Sequence, residues 1–222
     1  MALGVETTTS TTGLAVSSLT FAHTITLANK LMVTVGIGDS TGITVSGVTY
    51  NSQSLTFVGA VTDGNPWCRV EIWEKHNPSV TTANVVVTFS GSPTQGAAGA
   101  TGIIDAATAL GTASTNTTTS TNPTVTVVDS ASGDIVVSVA TLDGQAATTT
   151  EAGTLLWEIE DLGSDIDVNA QHQTASGAST VCSWTNSTNA NWAAIGVAVK
   201  TSALTPNVQI PIASLWPILV AC

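Results

Sequence analysis

Charged residues are scarce in this chain, and cations are the scarcest of all. Only 9% of the 222 residues are charged, whereas roughly 25% is usual for a soluble domain. Four lysines and arginines stand against fifteen acidic residues, which gives a formal net charge of −11 at pH 7. Proteins that bind nucleic acid need a basic surface to displace counterions from the phosphates, and anionic membranes attract basic segments. We therefore expect neither nucleic acid nor a membrane among the partners.

Cysteine is equally sparse, with Cys68, Cys182 and Cys222 as the only thiols. No C-x-x-C pair or His/Cys cluster is present, which argues against a zinc site. The odd count prevents complete internal pairing. A Cys68–Cys182 disulfide and two buried free thiols are both compatible with the sequence, because spacing alone does not place the two Cα atoms. Cys222 would be available to pair between subunits in an oxidising medium.

The sequence shows neither a secretory signal nor an apolar run long enough to span a membrane. Residues 1–9 contain no cation and no continuous apolar stretch, and a signal peptide requires both. The apolar segment 210–222 is short and is interrupted by Pro211 and Pro217. We therefore expect a virion protein, which leaves its host by lysis. A secreted or cell-surface protein whose signal has been removed is the alternative.

Strand patterns separated by turn residues occupy the chain, and no segment shows a helical period over a useful length. Residues 30–37 form a nearly continuous apolar run, which is typical of a central strand. Residues 43–50 and 55–61 flank the turn-rich link 51–54 and are predicted to pair as a hairpin. Roughly a dozen such strands predict an all-β fold, specifically an antiparallel, jelly-roll-like β-sandwich with extended N- and C-terminal arms.

Apolar and polar side chains alternate along residues 67–73, as they do in a strand with one buried face. One face takes Cys68, Val70 and Ile72, and the other takes Arg69, Glu71 and Trp73. Arg69 and Glu71 lie two residues apart on the same face. We expect them to take part in cross-strand ion pairs.

Composition divides the chain into three parts. Residues 1–13 are a Thr/Ser-rich arm, residues 14–203 are the sandwich domain, and residues 204–222 are a hydrophobic, proline-rich C-terminal arm. Within the domain, residues 111–123 are predicted to be a low-complexity loop. Propensity leaves open whether residues 95–104 are a strand or a short helix.

The C-terminal arm carries large apolar side chains whose exposure would cost about 1.5–3 kcal/mol each. We expect it either to pack on its own sandwich or to dock on another subunit, and its prolines favour an extended strand that adds to a sheet edge. The predicted interface residues are Ile210, Ile212, Leu215, Trp216, Ile218, Leu219 and Val220.

Four stretches together resemble a jelly-roll-like β-sandwich domain that recurs in phage virion structural proteins and in bacterial surface or secreted proteins. They are VTYNSQSLTFVG (48–59), VEIWEKHNPS (70–79), NVVVTFSG (84–91) and NWAAIGVAVK (191–200). The resemblance covers residues 17–202, and its motifs are core strands and turns. It implies a sandwich fold and a place in a virion or on a surface, and it carries over no catalytic residue.

The titratable residues form no recognisable catalytic motif, and we expect the protein not to be an enzyme. His23, His76 and His172 stand in no hydrolase or metalloprotease motif, and we expect loop or surface positions for all three. The best metal candidate is the acidic stretch with Asp161, Asp165 and Asp167, since calcium prefers several oxygen ligands on one loop. Its spacing does not match an EF-hand, so a solvated acidic loop is the alternative, and we expect no cofactor.

Tryptophan is unusually frequent, with six residues against one tyrosine and three phenylalanines. Trp67 and Trp192 lie at predicted strand starts, where an exposed indole would offer a stacking surface for a sugar. The alternative is that most of the tryptophans fill the sandwich core or an interface, because the indole carries a large buried area.

These observations predict a homo-oligomeric virion component, either a capsid decoration (cement) protein or a tail or fibre protein. Its partners would be itself and other shell proteins. The alternatives are a carbohydrate-binding or adhesin module and a subunit of an extracellular filament.

Overall fold

The computed structural model describes residues 2–38, 42–65, 67–144, 149–162 and 166–202. This part of the chain forms eighteen β-strands, and it contains no helix long and apolar enough to cross a lipid bilayer. The strands are β1 (Gly4–Leu14), β2 (Ser18–Thr24), β3 (Lys30–Gly38), β4 (Val45–Tyr50), β5 (Gln53–Ser54), β6 (Thr56–Thr62), β7 (Cys68–His76), β8 (Thr82–Phe89), β9 (Gln95–Ile104), β10 (Ala106–Leu110), β11 (Ser114–Ser120), β12 (Thr124–Val127), β13 (Ile135–Asp143), β14 (Thr149–Glu151), β15 (Thr154–Leu162), β16 (Ile166–Thr174), β17 (Thr180–Asn186) and β18 (Ala190–Thr201). The predicted all-β, antiparallel sandwich class is confirmed.

Strands β1 to β9 form one sandwich, which we call the N-terminal sandwich. Its inner sheet has the order β1-β9-β3-β7-β6 and its outer sheet the order β2-β8-β4-β5. All pairs are antiparallel. With β6 set aside, these are the two strand orders of a jelly roll, a double-sheet fold of eight strands. Strand β6 is an additional edge strand that pairs with β7.

Strands β10 to β18 repeat this connectivity in a second unit, the C-terminal sandwich. Its inner sheet has the order β10-β18-β13-β16-β15, and β11 pairs with the preceding stretch of β18. Its outer sheet has the order β12-β17-β14. Strand β13 therefore takes the place of β3, β16 that of β7, β15 that of β6 and β18 that of β9. The chain is two jelly-roll-like sandwiches in tandem, and the described part of the second one has no counterpart of β5.

The two sandwiches agree in register as well as in strand order. Lys30, the first residue of β3, lies opposite His76, the last residue of β7. Ile135, the first residue of β13, lies opposite Thr174, the last residue of β16. Both pairings then run without a break to the other end of the strands, so the two central strand pairs, β3 with β7 and β13 with β16, share the same register.

The additional edge strands of the two units are interrupted at the same place. In β6 the register shifts by one residue directly after Phe57 has paired with Trp73. In β15 the register shifts by one residue directly after Leu155 has paired with Gln171. Phe57 and Leu155 are therefore structural equivalents, and each edge strand is kinked by a β-bulge next to them.

Four sheets are stacked in the order outer, inner, inner, outer, with a hydrophobic core in each of the three spaces between them. The N-terminal core includes Val33, Val35, Val85 and Val87; the central core includes Val70, Ile72, Val137 and Val139; the C-terminal core includes Val125, Cys182, Trp184 and Ala194. Both inner sheets are covered on both faces, and β3 is buried along its whole length. This burial explains the continuous apolar run of β3, which is unusual for an antiparallel strand.

The two inner sheets meet across a pseudo-two-fold axis. Strand β3 packs on its own counterpart β13, β7 packs on β18 as β9 packs on β16, and β6 packs on β11 as β1 packs on β15. Such reciprocal contacts define an isologous interface, the kind found in symmetric dimers. The molecule is thus built like a dimer of two jelly rolls on a single chain.

The inner sheets approach closely at Gly99 in β9. A Cβ atom at this position would lie 2.1 Å from Nε1 of Trp157 in β15, so glycine leaves the space that the indole occupies. The Trp157 indole N–H donates a hydrogen bond of 2.9 Å to Thr34 Oγ1 in β3. The Trp157 side chain of the C-terminal sandwich therefore packs against β9 and is hydrogen-bonded to β3 of the N-terminal sandwich.

Several local predictions are wrong. The Thr/Ser-rich arm is not an arm, because β1 pairs with β9 along its length. The loop predicted at 111–123 contains β11, and the segment 95–104, which propensity left open, is the buried strand β9. The predicted hairpin 43–61 does not form: β4 turns back into the short strand β5 through Asn51 and Ser52, both at positive φ, and β6 then crosses to the inner sheet.

Candidate functional site

The two cysteines considered for a disulfide lie in different cores. Cys68 belongs to the central core and Cys182 to the C-terminal core. Both are buried free thiols, so the alternative of a Cys68–Cys182 bridge is wrong. Burial raises the pKa of both thiols, and nearby Asp63 and Asp143 raise that of Cys68 further. Both side chains therefore act as neutral core residues.

The two tryptophans proposed for sugar stacking have opposite environments. Trp192 is 0% exposed in the C-terminal core, and its indole N–H donates to Ser120 Oγ at 3.0 Å. A sugar has no access to it, so the stacking prediction is wrong for Trp192. Trp67 is 48% exposed at the start of β7 and remains a candidate. Trp73, Trp157 and Trp184 are buried as well, so the core alternative holds for most of the described tryptophans.

The acidic stretch does not assemble a metal site among the described residues. Asp161 lies in β15, Asp165 lies outside the described residues, and Asp167 is buried in β16. In the ranges that the structure describes, no group of three or more His, Cys, Asp and Glu side chains could hold a metal ion. The segment predicted as one acidic loop is the β15–β16 hairpin.

The predicted interface residues Ile210, Ile212, Leu215, Trp216, Ile218, Leu219 and Val220 lie outside the described residues. The last described residue is Ser202, whose N–H donates to the Asp105 carbonyl at 3.1 Å. Strand β18 thus ends at the junction of the two sandwiches, where Asp105 links β9 to β10.

A buried carboxylate, that of Glu71, connects the two sheets of the N-terminal sandwich. Glu71 Oε1 accepts a hydrogen bond of 3.0 Å from the Val45 N–H and lies 2.7 Å from Arg69 Nε. Its Oε2 accepts the Trp73 indole N–H at 3.0 Å. The predicted ion pairing of Arg69 and Glu71 is therefore present, but within one strand rather than across strands. These hydrogen bonds and the ion pair all join Glu71 to residues of the N-terminal sandwich, so the carboxylate has a structural role.

The equivalent position of the C-terminal sandwich carries Asn169, which is also buried. Its side-chain oxygen accepts the Trp184 indole N–H at 2.9 Å, and its amide donates to carboxylates of Glu151 and Glu158 at 3.1 and 3.3 Å. Burial, followed by the charges of Glu160 and Glu151, raises the pKa of Glu158. The edge around β15 is therefore an acidic surface whose carboxylates repel one another.

A second buried charge holds the linker between the sandwiches. The Lys30 ammonium group is fully buried and donates to Glu74 Oε2 at 2.9 Å and to the Thr108 carbonyl at 3.0 Å. The neighbouring Asn29 side chain both donates to and accepts from the backbone of Ala106. These contacts bind β10 to the N-terminal sandwich. The side chains of Lys30 and Asn29 therefore stabilise the junction between the two sandwiches.

The histidines are strand residues. His23 is buried in β2, where Nδ1 lies 2.8 Å from Thr9 Oγ1 and the ring packs edge-on against Tyr50. The predicted loop or surface position is therefore wrong for His23. His76 and His172 lie in β7 and β16 and are partly buried. Burial lowers the pKa of all three.

We expect stability to fall when the pH drops below about 6.5, the ordinary histidine value. In that window the unfolded chain binds protons more readily than the folded protein, so each buried neutral histidine contributes stability that is lost on acidification. Urea unfolding at pH 7.5 and 5.5 measures the loss. His23→Gln should show a smaller difference between the two pH values, and an unchanged difference would contradict the role assigned to His23.

The edge strand β6 carries an exposed aromatic residue, Phe57. Phe57 is 49% exposed and packs edge-on against Trp73 with 5.2 Å between ring centroids. Its equivalent Leu155 on β15 is 40% exposed. The β-bulge and the exposed apolar residue beside it are features that no sequence pattern revealed, because the repeat is one of register and not of residue identity.

The candidates that remain among the described residues are thus the two lateral edges of the inner sheets and Trp67; the segment 204–222 lies outside the described residues. No protein-family model, no curated protein and no solved structure matches this chain. The functional argument therefore depends on the chemistry of these surfaces.

Proposed function

We propose that this protein is a structural component of a virion, either a capsid decoration (cement) protein or a tail or fibre component. It joins itself and other shell proteins through the C-terminal segment 204–222. The N-terminal segment is not a free arm, because residues Gly4–Leu14 form strand β1 of the inner sheet.

The observation that carries the proposal is a contrast in composition between the described sandwiches and the segment 204–222. Among the described residues, the buried members of the three cores lie between Leu19 and Val199. Residues 204–222 have no charged side chain and are rich in large apolar ones. A segment of that composition gains free energy when another surface covers it, and its prolines disfavour a helix.

Deleting residues 204–222 is expected to leave the sandwiches folded and to abolish attachment to the particle. The three cores lose none of their described members, so the strand signal in circular dichroism and the urea midpoint should stay close to those of the full chain. Attachment is measured by adding purified protein to particles that lack it and weighing what co-sediments. A truncated chain that still fills its sites completely would contradict the proposed role of the tail.

Immunogold electron microscopy, with an antibody raised against the purified chain, tests whether the protein is located on virions. We expect gold on virions from the lysate of the source culture. Gold on cell surfaces or on filaments would support the adhesin or filament alternative instead. Gold on none of these would refute a structural role in any surface assembly.

The exposed Trp67 favours a second candidate function, a carbohydrate-binding module. A half-exposed indole offers the flat apolar surface on which proteins stack sugars. Binding on a glycan array that is lost in Trp67→Ala and kept in the similarly exposed control Val181→Ala would establish it. An array without signal would eliminate it.

A further inference from the structure

The pseudo-two-fold axis gives the molecule two similar lateral sides. One side consists of β6 over β11, and the other consists of β15 over β1. On each side, the described structure leaves one edge of both strands without a pairing partner. An edge strand exposes N–H and C=O groups that another chain can pair with, and proteins usually protect such edges with charge, proline or a covering segment.

The two sides differ in charge. Strands β6 and β11 contain no ionisable residue at all. The opposite side carries the exposed Glu158 and Glu160 on β15, with Glu151 beside them on β14. The neighbouring charges Glu160 and Glu151 help to raise the pKa of Glu158, so a second acidic surface placed against this side would be repelled.

The geometry points to a symmetric dimer of this chain, in which the side formed by β6 and β11 meets the same side of a second copy. Both inner sheets then continue across the two-fold axis, and the Phe57 side chains are covered at the interface. The dimer does not depend on the tail or on the place of the protein in a virion.

The size of this side corresponds to that of a small dimer interface. Both strands are seven residues long, which corresponds to about 23 Å at about 3.3 Å per residue. Two sheets about 10 Å apart, with their outer side chains, are about 20 Å deep. The contact then covers about 450–500 Å² on each copy. The total of about 900–1,000 Å² lies near the lower limit for a biological interface, which corresponds to a weak dimer.

Charge also selects the symmetric contact over a head-to-tail one. A head-to-tail contact would press β6 against the acidic β15 of the next copy and remove Glu158 and Glu160 from water. The cation that contacts β6 is Arg69, which donates to Thr62 Oγ1 at 2.8 Å and is already paired with Glu71. Carboxylates buried without a partner are costly, so the uncharged sides pair with each other and the acidic sides stay in solvent.

The repeat supplies a matched pair of variants for the test. Phe57→Asp places a carboxylate on the proposed interface of both copies. Leu155→Asp makes the same change at the equivalent, similarly exposed position on the acidic side. The molar mass of the full chain, 22.4 kDa per copy, is followed by sedimentation over a concentration series. In parallel, amide exchange of residues 56–62 and 154–162 is measured at high and low concentration.

We expect a wild-type dimer, a dissociation constant raised about 30-fold or more in Phe57→Asp because an interface aromatic is replaced by repelling charges, and no change in Leu155→Asp. Amide exchange should become faster on dilution in residues 56–62 and not in residues 154–162. A wild-type monomer at 100 µM (about 2 mg/ml for a chain of this mass), a dimer that survives Phe57→Asp, or larger species that Leu155→Asp disperses would each overturn the proposal. Tail-mediated assembly would be recognised by its insensitivity to both substitutions.

Discussion

Replacing Glu71 with alanine is expected to lower the free energy of unfolding by about 3–5 kcal/mol, the range for a buried charge pair that loses one partner. The substitution leaves the Val45 N–H and the Trp73 indole N–H without an acceptor, and it leaves Arg69 without its carboxylate. Urea unfolding followed by tryptophan fluorescence measures the change. The loss should be large because these donors join β4 of the outer sheet to β7 of the inner sheet.

Glu160→Ala is the matched control for this substitution. Glu160 is an exposed carboxylate on β15, and surface substitutions of this kind usually change stability by less than about 0.5 kcal/mol. If Glu71→Ala costs no more than Glu160→Ala, the buried carboxylate does not hold the two sheets together.

Replacing Gly99 with alanine is expected to lower the free energy of unfolding by about 2–4 kcal/mol. Overpacking a well-filled core costs about 1–3 kcal/mol, and a lost hydrogen bond adds about 1 kcal/mol. The new methyl group would lie 2.1 Å from Trp157 Nε1, so the indole must move and give up its bond to Thr34. The measurement is again urea unfolding.

Two further variants separate this clash from the general effect of losing a glycine in a strand. Gly47→Ala lies in β4, where an added Cβ meets no atom within 4 Å, and it should not destabilise the protein. Trp157→Phe makes room for the methyl group, so the double variant should lose less stability than the sum of the two single variants. Additive losses would show that Gly99 and Trp157 are not coupled.

The strands that could be predicted from the sequence were those with a clear apolar pattern. The alternation of residues 67–73 placed Val70 and Ile72 on one face of β7 and Trp73 on the other, and the structure assigns them to different cores. The continuous run of β3 predicted a central strand, and the reason is that sheets cover both of its faces. Burial is what the apolar pattern reports, so strongly buried strands are recognisable.

The strands that were missed bury their residues differently. Strands β1 and β11 lie at sheet edges and are rich in threonine and serine, which make up six of the eleven residues of β1 and six of the seven of β11. Neither strand therefore shows a regular apolar face. In β16, Val168 and Ala170 face the central core, while the buried Asn169 between them breaks the apolar run. Pairing was a further difficulty, because β4 and β6 are neighbours in the chain but belong to different sheets.

The candidate functional surfaces, too, could be predicted only in part from the sequence. The sequence does not show that Trp67 is exposed and Trp192 buried, because both are tryptophans at the start of a predicted strand. The acidic hairpin was recognised by its composition, but its role as the charged counterpart of an uncharged edge depends on the two-fold arrangement. That arrangement is a property of registers and bulges, which adjacent residues do not encode.

The tandem order of the two sandwiches has a consequence during synthesis. Every strand of the N-terminal sandwich lies before Asp105, so this half can close its own core as soon as it leaves the ribosome. At about 5–20 residues per second, the remaining half takes roughly 5–20 s to follow. For that interval the face that carries Met32, Val70 and Ile72 is open to water, and a nascent neighbour on the same message presents an identical face. The single-residue link at Asp105 keeps the correct partner close at the moment it emerges.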